Sequence, residues 1–117
     1  MELEELALLT REEIEKEIYR RCPDPTEPTH ADAYDQAFDR RVRLRETISK
    51  LQIAALLDGK LTIDQVVEQN HSPYDDPEID TDSIHRNLLK QALEDLQEGV
   101  KSREVIIEEA CHNLGHL

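Results

Sequence analysis

From residue 30 to residue 57 the chain runs without a glycine or a proline, and Tyr34, Phe38, Val42, Ile48, Leu51 and Ala55 recur along it at threes, fours and sixes. That spacing gathers apolar side chains toward one side of an α-helix, whereas a half-buried strand would alternate every second residue. At ~1.5 Å per residue such a helix is about 40 Å long. In a chain of 117 residues it must be the spine on which everything else packs. The expected fold is therefore all-α: a compact antiparallel bundle of four or five helices with this long helix at its centre.

The rest of the chain supplies starts and stops. Thr10-Arg11-Glu12-Glu13 has the form of a capping box, in which the threonine oxygen takes a free amide proton and the glutamate reaches back to the threonine amide. A helix is expected there, with Ile14, Ile18 and Tyr19 as its narrow apolar stripe, ending before Pro23. Leu3, Leu6, Leu8 and Leu9 precede it as a short helix or docking arm. Three prolines between Pro23 and Pro28 deny the backbone its helical hydrogen bonds and make 23–29 a linker. Residues 1–22 then read as an N-terminal helical arm and 30–117 as the helical domain, within one domain and around one core.

Gly59 is placed to end the long helix, and Thr62-Ile63-Asp64-Gln65 is a second capping box, opening a short helix over 62–69. Residues 70 to 81 carry Pro73 and Pro77 among acids and form a turn. Asp80, Thr81 or Asp82 caps the next helix, whose stripe is Ile84, Leu88, Leu89, Ala92, Leu93 and Leu96 and which stops at Gly99. Ser102 opens the last helix, to about Leu114. The stretches 59–68 and 99–108 echo one another, as helix stop, cap and helix start must in any helical hairpin. The expected core is Ile48, Leu51, Leu88, Ala92, Leu93, Leu96 and Ile106.

Composition excludes several functions. No apolar run approaches the ~20 residues of a membrane span, and the acidic MELEELALL start is unlike a signal peptide, so the expected location is cytoplasmic and the expected contact with membranes none. Cys22 and Cys111 are then reduced thiols, and the sequon at Asn70 is idle. The net charge of -13 repels phosphates, so direct nucleic-acid binding is not expected. By segment, 1–22 carries -3, 23–39 carries -5, 40–60 carries +4, 61–83 carries -7 and 84–117 carries -2.

No motif is specific enough to name a family or a reaction. Asp58-Gly59-Lys60-Leu61-Thr62 looks like the middle of a calcium loop, but counting from Gly59 as sixth residue puts Ala54 first, Leu56 third and Gln65 twelfth, which removes the acidic ligands. Asp75, Asp76, Glu78, Asp80 and Asp82 offer carboxylates without a glycine turn or a terminal bidentate acid, and read as a solvated loop. Cys111, His112 and His116, with Cys22 or His30, lack the two closely spaced pairs of a zinc site. The dipeptide Cys22-Pro23 is too short to indicate haem. Three glycines, each after a helix, leave none for a phosphate cradle, and carboxylate pairs are too common in a chain with 27 acids to indicate general acid–base work. No catalytic residue, cofactor or metal is expected.

Arg40, Arg41, Arg43 and Arg45 form the one basic cluster, spread round the helix with Arg41 and Arg45 on one side and Arg40 and Arg43 on another. Pairing with acids such as Asp39 and Glu46 is the plain expectation. A thin aliphatic core with few aromatics points to a partner, most simply a second copy in a homodimer, otherwise a tight heteromer. The expected contact residues are Tyr34, Phe38, Arg41, Val42 and Arg45, the arginines meeting Glu12 or Asp35 of the partner. The functional expectation is a protein–protein interaction module serving as regulator, inhibitor, adaptor or assembly subunit. The alternative is an acidic nucleic-acid mimic that blocks a DNA-binding protein.

Overall fold

A computed structural model describes residues 1–25, 31–72 and 77–115. Four side chains fix where helices begin by accepting backbone protons that the first turn leaves free. Thr10 accepts from the Glu13 amide at 3.3 Å, Thr62 from Gln65 at 3.2 Å, Asp80 from Ser83 at 3.1 Å and Ser102 from Val105 at 3.3 Å. Only Thr62 completes the expected box, its own N–H donating to Gln65 Oε1 at 2.9 Å. At Thr10 the hydroxyl donates to Glu13 Oε1 at 3.1 Å, because a hydroxyl can rotate its proton toward a carboxylate and an amide cannot.

The elements are α1 (Leu3–Leu6), α2 (Arg11–Arg21), α3 (Ala31–Leu57), α4 (Ile63–Gln69), α5 (Thr81–Glu98) and α6 (Arg103–Gly115). The bundle is all-α, and α3 touches each of the other five helices. Gly59 and Gly99 stop α3 and α5 at φ +78° and +70°, left-handed conformations that cost a side chain dearly and glycine little. Among the described residues, no helix is long and apolar enough to cross a membrane.

In place of the single core that the sequence leads one to expect, two clusters of buried residues lie along α3. The larger joins Ile53, Ala55 and Leu56 of α3 to Leu61, Val66 and Val67, Leu89 and Ala92, and Ile106, Ala110 and Cys111. The smaller joins Ile48 to Leu6, Ala7, Ile14 and Ile18, so α1 and α2 lie docked against the middle of the spine. The larger cluster covers the last turns of α3, and the N-terminal helices bury the turns around Ile48. Of the expected core, Ile48, Ala92 and Ile106 are buried, while Leu51, Leu88, Leu93 and Leu96 are half-buried.

A polar seam runs between the clusters. Buried Gln52 accepts from Asn70 Nδ2 at 3.2 Å, and Gln69 Nε2 donates to the carbonyls of Ala7 and Leu9, both at 2.8 Å. These bonds tie the end of α4 to α3 and to the α1–α2 turn, while Gln69 Oε1 is buried without a partner among the described residues. The nitrogen that a glycan on Asn70 would need is thus bonded inward.

Candidate interaction surface

The inward side of α3 is set by Ala37, Arg41, Ile48, Gln52 and Ala55, all buried. Tyr34, Phe38 and Val42, four residues apart, line up along α3, Tyr34 starting near the inward side and Phe38 and Val42 turning progressively further from it. Among the described residues nothing covers that stripe: Phe38 is 59% exposed, Tyr34 45% and Val42 44%. Tyr19, on α2, is 48% exposed. Each described Tyr and Phe side chain is therefore exposed, and the buried hydrophobic residues are aliphatic apart from Cys111, with Arg41, Gln52 and His85 buried as well.

The arginines divide by which way they turn. Arg41 points inward and is buried at 6%; its Nε donates to the Cys22 carbonyl at 2.9 Å, its Nη2 pairs with Asp24, and its guanidinium lies 4.4 Å from the centre of the Tyr19 ring. A planar guanidinium suits this combined fork and stack better than an ammonium. Arg45 makes a two-pronged bond to Glu15 of α2, at 3.0 and 2.8 Å. Arg40 and Arg43 are exposed. Of the five residues expected at a contact, Tyr34, Phe38 and Val42 are presented outward, Arg45 is half-buried, and Arg41 is held within the fold. The arginines' acids are Asp24 and Glu15 rather than Asp39 and Glu46, because α2 and the segment after it lie over this side of α3.

Tyr19, expected in the buried stripe of α2, lies outside it. Ile14 and Ile18 set the inward face, and Tyr19, one position on, is rotated about 100° from Ile18. That offset is the signal the sequence offers.

The stripe runs into an open groove of about 660 Å³ between the middle of α3 and the end of α6, lined by Val42, Arg45, Glu46, Ser49 and Lys50 on one side and Cys111, His112 and Leu114 on the other. Burial, with the Glu46 carboxylate second, pushes the Cys111 thiol above its usual value, so it is a poor nucleophile there. A second groove of about 530 Å³ lies between the α1–α2 turn and α4, with Leu8, Leu9 and Leu61 in its walls.

The other sequence candidates have structural occupations. Asp58 holds Arg103 across the α3–α6 junction, Nη2 to Oδ2 at 3.0 Å, which uses the carboxylate of the calcium-like pentapeptide. Asp80 is the cap of α5, and Asp82 lies 3.2 Å from His71 Nδ1. Asp75, Asp76, His30 and His116 lie outside the described residues. Among the described residues no three His, Cys, Asp or Glu side chains converge as metal ligands would.

Several carboxylates are held ionised by their partners. The Arg45 bond lowers Glu15, the Arg103 bond lowers Asp58, and Arg20 and then Arg21 take Glu17 from 4.5 down to about 2. A depressed folded value means that the unfolded chain binds protons first as pH falls. These groups contribute fully above the ordinary values of 4.5 for Glu and 3.8 for Asp, and that contribution is lost on descending through the folded values. The melting temperature should thus fall as pH drops below about 4.5, and a Glu15→Gln variant should show a shallower fall in calorimetry.

Comparison with protein-family models, with curated proteins and with solved structures found no match. Function must therefore be read from the geometry of this surface.

Proposed function

We propose that this chain is a small protein-interaction module without catalysis of its own, a regulator, inhibitor, adaptor or assembly subunit that engages its partner through Tyr19, Tyr34, Phe38 and Val42. One observation carries the reading: the described Tyr and Phe rings are all left outside the core, two of them in line with Val42 along α3. Aromatic rings bury the largest apolar area per residue, and a fold short of core material would ordinarily use them inside. Rings held in water on a rigid helix are instead the usual anchors of a binding face. Arg41 and Arg45 support that face from behind, fixing α2 and the Tyr19 ring against α3.

The test is recovery of the tagged chain from its native host with whatever it binds. Phe38→Asp should lose one specific bound protein while the helical circular dichroism stays unchanged, since the position is exposed. Retention of every bound protein by the Phe38→Asp variant would defeat the reading. Loss on charge reversal of Asp75, Asp76, Glu78 and Asp80, with Phe38→Asp harmless, would assign the acidic-mimic role instead.

A further inference from the structure

We propose that the partner seated on this face is a second copy of the chain, laid antiparallel along α3 about a two-fold axis beside residue 40; this rests on the interaction reading above. Three features meet in that arrangement. The aromatic stripe and the groove are contiguous on one helix, with Tyr34 and Phe38 before Val42 and the groove walls Arg45, Glu46 and Ser49 after it. Reversing a second helix over the first sets Phe38 of each copy against Val42 of the other. It also carries Tyr34 of each copy into the groove of the other, beside Glu46 and Leu114. A knob and its socket on the same surface, related by one two-fold axis, make the contact self-complementary and closed.

Charge agrees. Rotating 100° per residue, Asp35, Asp39 and Arg43 fall along one flank of the stripe, acids toward the start of α3 and the base toward its middle. All three are exposed, and none forms an ion pair among the described residues. Antiparallel pairing about residue 40 places Arg43 of one copy between Asp35 and Asp39 of the other, twice over. A parallel two-fold pairing would carry this flank to the far side of the second helix, away from its counterpart, so only the antiparallel arrangement brings Arg43 to the acids. The copies attract along this flank although each carries a net -13, because repulsion between distant exposed charges is screened beyond about 8 Å at physiological salt.

Sedimentation equilibrium of the full chain over a wide concentration range tests the proposal. The expected result is a reversible dimer, lost in Phe38→Asp and weakened about tenfold or more by Arg43→Glu. The combined exchange Asp35→Arg, Asp39→Arg and Arg43→Glu should restore it, since a two-fold contact sees the same pairs with signs reversed. Circular dichroism of each variant confirms that these exposed positions leave the helices intact. A monomer at every concentration overturns the second copy, as does a dimer indifferent to Arg43→Glu or a triple exchange that fails to restore association. A monomer that still captures another protein through Phe38 would overturn the self-pairing and leave the interaction reading standing.

Discussion

Leu89→Ala should destabilise the protein by about 2–5 kcal/mol, the range for truncating a large aliphatic side chain in a core that cannot collapse around the gap. Leu89 is fully buried in the larger cluster, where α5 meets α3, α4 and α6. The fold has few alternatives for filling the space, since its largest fully buried side chains are Leu, Ile and Val and its described Tyr and Phe rings are exposed. A loss of this size is a large share of the roughly 5–15 kcal/mol typical of a domain, so the variant should melt far below the parent. Urea titration followed by circular dichroism measures it. A loss under about 1 kcal/mol would mean that the α4–α5–α6 cluster is not the main source of stability.

Arg41→Ala should cost about 1–3 kcal/mol, through the partners it leaves behind more than through the charge it removes. The Cys22 carbonyl loses its donor, the Tyr19 ring loses its stacked guanidinium, and a space opens beneath α2. Asp24, more than half exposed, can turn to water, so its pairing adds little. The effect should be local: amide hydrogen exchange in α2 should rise while α4, α5 and α6 keep their protection. Arg41→Lys should recover only part, because an ammonium cannot donate to the carbonyl and carboxylate while lying flat on a ring. Uniform loss of protection across the chain would contradict the assignment of Arg41 to the α2–α3 junction.

The helices are legible in the sequence because their signals are local. A glycine stop and a threonine or aspartate cap act within four residues, and the long uninterrupted stretch of α3 leaves no other regular structure open to it. What depends on distant partners is not legible. Arg41 and Val42 are neighbours in the sequence, yet one is buried and the other exposed, and only the position of α2 decides which. The second cluster escapes a sequence reading for the same reason: Leu6, Ile14 and Ile18 give a stripe too short to show that it closes on Ile48. The seam of Gln52, Gln69 and Asn70 has no sequence signal, since polar side chains are ordinarily expected at the surface. For the surface, periodicity brings Tyr34, Phe38 and Val42 together correctly, while their use as core or as exposed stripe turns on what lies opposite.

An aromatic face that binds a partner is shielded from solvent wherever that partner is present. Hydroxyl-radical footprinting reads this whatever the partner is, by comparing oxidation of Tyr19, Tyr34 and Phe38 in the dilute purified chain with oxidation in an extract of the native host. Ready oxidation of all three is expected when dilute, with marked protection of Tyr34 and Phe38 in the extract and Leu89 protected in both. Equal oxidation of Tyr34 and Phe38 under the two conditions would contradict it.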